Sequence, residues 1–232
     1  MLFRSDNKTQ KLTVQNGEKT QSADDTYVIT TTGEDQWIAK VGLSDAANNF
    51  TFDDDTNFYV GGTKDDTLTV ADDGSYANIW LNNYGFGGQK AYSGIKTVNA
   101  GAATDDVTLV GADDKDNVLV ASKGASSLWG GAGSKGDDLL DGSTAGRDAD
   151  TFFFGKGNGK DTIKGAGEDD RVMLYDVTLD DIDFEKSKTG TDLKLALKDG
   201  SSVTLTGING TTNLVLSDGS TYTYNAKSKS FE

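Results

Sequence analysis

The sequence predicts an all-β protein, a solenoid of short strands, and three observations carry that expectation. Apolar anchors recur at intervals of nine to eleven residues, with one step of thirteen. The apolar residues come in bursts of about four, such as Val172-Met173-Leu174-Tyr175, rather than in helical stripes. The stretches between bursts are turns of Gly, Asp, Asn and Thr.

The spacing justifies the repeat. Phe50, Tyr59 and Leu68 stand nine residues apart, and Ile79 follows after eleven. A second ladder runs Leu109, Leu119, Leu128, Leu139, Phe152, Ile163 and Val172, with steps of 10, 9, 11, 13, 11 and 9. Each step holds one β-prone burst and one tight turn, as in Val107-Thr108-Leu109-Val110-Gly111. A unit this short has no room for two strands and a hairpin. It cannot bury its apolar face alone, so units must stack into a continuous inner row. The rival architecture is a β-sandwich with turns at similar spacing.

Composition narrows the chemistry. The 232 residues include no Pro, Cys or His, 29 Gly, 22 basic and 37 acidic side chains, for a formal charge of −15. Without Cys there is no disulfide framework and no thiolate. Without His there is no imidazole base and no His-ligated metal. The acidic balance excludes a broad nucleic-acid footprint. No apolar run approaches the roughly 18 residues of a membrane helix. Of the acids, 32 are Asp and 5 Glu, and many Asp are adjacent, as in Asp53-Asp54-Asp55 and Asp137-Asp138. Short carboxylates in turns either bond the local backbone or reach a hard cation such as calcium.

The turns of the second ladder are specific. Gly130-Gly131-Ala132-Gly133 precedes Asp137-Asp138-Leu139, then come Asp141-Gly142, Asp148 and Asp150-Thr151-Phe152. Gly155-Lys156-Gly157-Asn158-Gly159-Lys160-Asp161-Thr162-Ile163 follows, and Gly165-Ala166-Gly167-Glu168-Asp169-Asp170 after it. Gly61-Gly62-Thr63-Lys64-Asp65-Asp66-Thr67-Leu68-Thr69 is a further hit. These segments resemble the G-G-x-G-x-D-x-U-x nonapeptide of repeat-in-toxin (hemolysin-type) calcium-binding proteins. Gly190-Thr191-Asp192-Leu193 and Asp199-Gly200-Ser201-Ser202-Val203-Thr204-Leu205 resemble the segment that closes such arrays.

The resemblance implies a parallel β-roll or β-solenoid of 9–11-residue repeats with a C-terminal antiparallel β cap. It implies calcium as the ligand, held between turns of neighbouring coils by carbonyls and Asp carboxylates. Carried over by motif position, Gly130, Gly131 and Gly133 supply backbone oxygens. Asp137 or Asp138, and Asp150, take the carboxylate position, and Asp161 takes it in the next turn. Asp141, Gly142, Asp148, Gly155 and Gly157 complete the expected metal set. This sequence departs from the motif in a Gly133–Asp137 spacing two residues longer, and in an expanded turn that carries Arg147.

The expected organisation is a polar N-terminal segment at 1–20 and a degenerate solenoid at 21–99 with an aromatic insertion at 80–92 (Trp80, Tyr84, Phe86, Tyr92). The repeat-in-toxin-like roll spans 100–175, and the cap, with a hairpin across Val215–Tyr222 and a C-terminal secretion signal implied by the resemblance, spans 176–232. Met1-Leu2-Phe3-Arg4-Ser5 runs straight into polar residues without a secretory leader. The functional expectation is a non-enzymatic, extracellular calcium-binding module, folded and stabilised by the ion, within a larger secreted toxin, adhesin or hydrolase. Expected partners are calcium, upstream domains of the same parent, and a cell-surface or glycan ligand, with no nucleic acid and no membrane span. The alternative is a calcium-independent structural solenoid of a surface adhesin.

Overall fold

The structure, a computed structural model, describes residues 13–16, 19–22, 48–52, 66–70, 77–81, 95–133, 135–144, 148–208 and 210–231. Strands β1 (Thr13–Asn16), β2 (Lys19–Ser22) and β3 (Asn48–Phe52) begin one sheet as antiparallel neighbours. The chain then enters a regular alternation. Its strands are β4 (Asp66–Val70), β5 (Ala77–Trp80), β6 (Ile95–Asn99), β7 (Val107–Val110), β8 (Val118–Val120), β9 (Ser126–Trp129), β10 (Leu139–Asp141), β11 (Thr151–Gly155), β12 (Lys160–Lys164) and β13 (Arg171–Tyr175). Even-numbered strands from β4 to β12 extend the first sheet, and odd-numbered strands from β5 to β13 form the second. Within each sheet these strands pair in parallel, so one coil is one strand from each sheet plus two turns. This is the two-sheeted parallel solenoid that the period demands.

Strand alternation explains the core. Each strand points every second side chain inward, and register stacks those side chains into two rows. Val98, Leu119, Leu140, Ile163 and Leu205 form one row; Ile79, Leu109, Leu128, Phe152, Val172 and Leu214 form the other. All are buried. Burying such a side chain contributes about 1.5–3 kcal/mol, so the stack is the principal stabilising term. One anchor differs from expectation. Leu140, not Leu139, points inward, because the turn before it is long and shifts the strand by one residue; Leu139 is half-exposed. Phe50 and Leu68 are register partners, while Tyr59 lies outside the described residues.

The C-terminal part adds strands of both kinds. After a 3-10 turn at Leu179–Asp181 come β14 (Lys188–Thr189), β15 (Leu193–Ala196), β16 (Ser202–Thr206), β17 (Thr211–Leu216), β18 (Thr221–Asn225) and β19 (Ser230–Phe231). Strands β16 and β17 continue the parallel ladders beyond β12 and β13. Strands β14–β15 and β18–β19 then close the two sheets in antiparallel pairing. The expected strand–turn–strand at 215–222 is the β17–β18 hairpin, and Gly219, at φ +85°, makes its turn possible. The Tyr224 ring is fully buried; its hydroxyl donates to Gly190 O at 2.6 Å and accepts from Gly190 N–H at 3.0 Å, which ties the two closing ends together. Among the described residues no helix is long and apolar enough to cross a membrane. Trp80 is the last residue of β5, and Tyr84, Phe86 and Tyr92 lie outside the described residues.

Candidate functional site

The turns fall into two rows. Among the described residues, turns leaving the second sheet for the first are 111–117, 130–138 and 156–159. Turns leaving the first for the second are 100–106, 121–125, 142–150 and 165–170. The sequence-predicted residues are therefore divided between the two edges of the roll. Gly130, Gly131, Gly133, Asp137, Asp138, Gly155, Gly157 and Asp161 share the first edge. Asp141, Gly142, Asp148 and Asp150 belong to the second. Arg147 lies outside the described residues.

On the first edge the acids form a ladder. Asp138 N–H donates to Asp161 Oδ1 at 3.0 Å, and Asn117 N–H donates to Asp138 Oδ1 at 2.7 Å. Each carboxylate thus accepts a main-chain proton from the preceding coil. Asn117 stands on the same rung one coil earlier, and its own Oδ1 accepts from Ala112 N–H at 2.7 Å. Outside this ladder runs a second one, in which Asp137 N–H donates to Asp116 Oδ1 and Lys160 N–H to Asp137 Oδ1.

Glycine makes the close approach feasible. A Cβ on Gly130 would lie 2.2 Å from Asp138 Oδ2, so only hydrogen fits beside that carboxylate. Gly131 and Gly133 hold φ of +108° and +114°, conformations that L side chains avoid. In the next turn Gly157, at φ +74°, donates its N–H to Asp199 Oδ2 at 2.8 Å, and Gly155 N–H donates to Asn158 Oδ1 at 2.7 Å.

Burial makes the inner pair electrostatically costly. Asp138 is 4% exposed and Asp161 2%. Desolvation, then the neighbouring Asp161 charge, pushes the Asp138 carboxyl from 3.8 up to about 8, against the lowering effect of the Asn117 N–H bond. Desolvation likewise raises Asp161 to about 7, opposed by the Asp138 N–H bond and reinforced by the Asp137 charge. The two buried carboxyls cannot both ionise freely at neutral pH.

The second edge repeats the ladder with other residues. Ser126 N–H donates to Asp150 Oδ1 and Asp150 N–H to Asp170 Oδ1, both at 2.8 Å. Asp148 contributes its N–H to Lys123 O at 2.7 Å. Asp141 faces outward at the end of β10. Burial raises its pKa, but hydrogen bonds from Ser143 and the Lys164 ammonium outweigh that and leave it below the usual range. A Cβ on Gly142 would lie 2.5 Å from the tip of the Phe152 ring, so this glycine serves packing.

No family model, curated protein or solved structure matches the chain. The reading of the site therefore rests on its own geometry. Among the described residues no three acidic side chains converge as a carboxylate cage. A calcium ion on the first edge would take one or two carboxylates from Asp138 and Asp161, and main-chain carbonyls for the rest of its six to eight oxygens. Residues absent from the expected set also occupy ladder rungs, Asn117 and Asp170, whereas Asn158 accepts from Gly155 N–H within its own turn and from the Tyr175 hydroxyl. For Asn117 and Asp170 the signal was in the sequence, since each stands two residues before an inward anchor, as Asp138, Asp150 and Asp161 do.

Proposed function

We propose that this chain is an extracellular, calcium-responsive β-roll module of a larger secreted toxin, adhesin or hydrolase. The observation that carries the reading is the Asp138–Asp161 pair: two buried carboxyls one coil apart, both raised in pKa, beside glycine-rich turns whose sequence resembles the repeat-in-toxin nonapeptide. A divalent cation beside this pair would favour the ionised forms that burial opposes. The charge of −15 supplies the switch. Where free calcium is scarce, self-repulsion opposes compaction. Outside the cell, ions that bind only the folded chain stabilise it by RT ln(1+[L]/Kd), with Kd in the ~10⁻⁴–10⁻³ M range of extracellular modules. The module itself is non-enzymatic and acts by folding where calcium is plentiful.

The test is a calcium titration followed by circular dichroism and thermal melting, with magnesium as control. Calcium is expected to sharpen the β signal and raise the melting temperature, and magnesium to do so poorly. An unchanged melt in excess chelator would remove calcium from the account.

A second reading has its own observation. Asp138, Asp150, Asp161 and Asp170 each already accept a main-chain N–H from the adjacent coil or turn. On this reading the acids are rungs of a calcium-independent scaffold that presents a β face of a surface adhesin. Full β structure with an unchanged melt in chelator favours it.

A further inference from the structure

The outer face of the second sheet carries an aromatic row that the core does not use. Parallel register places Trp80 beside Val110, Val110 beside Trp129, and Trp129 beside Phe153 on successive strands. Strands in a sheet lie ~4.8 Å apart, so the two indoles, two strands apart, are separated by ~10 Å along the roll axis. Thr108 and Ser127 stand two residues earlier on their strands and so form a polar row beside the aromatic one. Together these residues line a groove of about 420 Å³.

Trp129 is held by Tyr175, which lines the same groove. Trp129 Nε1–H donates to Tyr175 Oη at 3.1 Å, and Tyr175 donates in turn to Asn158 Oδ1, which also accepts from Gly155 N–H. Asn158 is 3% exposed. The Tyr175 ring lies over Gly155, where a Cβ would stand 2.5 Å from it, and meets Trp129 edge to face at 5.9 Å. The polar tips of Trp129 and Tyr175 are thereby engaged within the protein, and their orientation is set before any ligand arrives.

We propose that this face binds a neutral linear glycan, with sugar rings stacked on Trp80, Trp129 and Phe153 and a sugar hydroxyl bonded to Ser127. Charge selects the class. Among the described residues no charged side chain lines the groove, and the chain as a whole is at −15, so a polyanion is repelled and two copies of the chain repel each other. The spacing selects the shape. Aromatic platforms ~10 Å apart match alternate residues of an extended β-1,4-linked chain; Val110 between them is only 3% exposed, so the intervening sugar bridges the two platforms without a contact of its own. Apolar ring faces beside hydroxyl groups complement a sugar, which has apolar C–H faces and polar edges.

The test titrates the full chain with cellohexaose and, separately, with maltohexaose, by calorimetry and tryptophan fluorescence, in calcium and in chelator. Cellohexaose is expected to bind, and the curved α-linked maltohexaose to bind at least about tenfold more weakly. Trp80→Ala and Trp129→Ala each lower cellohexaose affinity about tenfold or more, while Trp129→Phe keeps most of it and circular dichroism shows each variant folded. Absence of cellohexaose binding at millimolar concentration overturns the proposal. So does affinity unchanged in both folded Ala variants, or self-association in sedimentation that Trp80→Ala abolishes and cellohexaose does not compete. The calcium reading stands apart from this one: cellohexaose binding by a chain whose melt ignores calcium supports the glycan site and refutes only the ion.

Discussion

Replacing Asp138 by Asn keeps the ladder rung and removes the charge. The perturbation is clean because Asn117 already holds the equivalent rung one coil earlier, and an Asn Oδ1 still accepts the Asn117 N–H. In the folded chain Asp138 titrates at about 8, above its ordinary 3.8. A raised folded pKa means that the folded state holds a proton that the unfolded chain releases. The associated stability is fully present below 3.8 and is lost as pH rises toward 8. A full rise of about four units sets a ceiling of roughly 6 kcal/mol. Water entry and relaxation of the turn lower the measured effect, and about 2 kcal/mol is expected at the alkaline end. Asp161 adds to the wild-type loss over its own window, from 3.8 to about 7. Urea denaturation in chelator at pH 4 and pH 8 reads this directly. The two proteins should be nearly equal at pH 4, and the Asn variant the more stable at pH 8. In calcium the order should invert, because the variant lacks a charged ligand. Wild-type stability that is flat from pH 4 to pH 8 in chelator, with a variant no more stable at pH 8, would refute the electrostatic argument.

Two further substitutions test register and turn geometry. Leu140→Ala should destabilise by about 2–5 kcal/mol, because it opens a cavity in the inner row; Leu139→Ala, at a half-exposed position one residue away, should change urea midpoints by under about 1 kcal/mol. Equal effects would mean that the strand is shifted by one residue. Gly159→Ala should destabilise by at least about 2 kcal/mol, since a Cβ there would fall 1.8 Å from Gly136 O at a φ of +80°. A melting temperature equal to wild type would show that the two turns are not packed so closely.

The fold was legible because one physical constraint generates both the sequence period and the architecture. A ten-residue unit with one short strand has only its neighbours to pack against, and Leu109, Leu119, Leu128, Phe152, Ile163 and Val172 all point inward as that argument requires. The error at Leu139 has the same origin. Two adjacent leucines are equivalent to a period count, and only the phase of the strand distinguishes them. The rung spacing does not resolve that phase here. An acid or amide stands two residues before the inward anchor at Asn117, Asp150, Asp161 and Asp170, but Asp137 precedes Leu139 by the same two residues as Asp138 precedes Leu140.

The candidate site was legible as a set of turns and not as a constellation. Consecutive repeats look adjacent in sequence, yet consecutive turns lie on opposite edges of the roll. Asp138 therefore meets Asp161, 23 residues away, and not Asp150, which is only 12 away. The distinction changes what a cation could do. An ion on the first edge relieves the Asp138–Asp161 pair and leaves Asp150 and Asp170 as hydrogen-bond acceptors on the other. The −15 charge is then unevenly consequential. A partly exposed carboxylate such as Asp141 is already compensated by Lys164 and the Ser143 hydroxyl. Among the described residues burial opposes ionisation most at Asp138 and Asp161, so a single cation beside that pair would act on the first edge of the roll and leave the second edge unchanged.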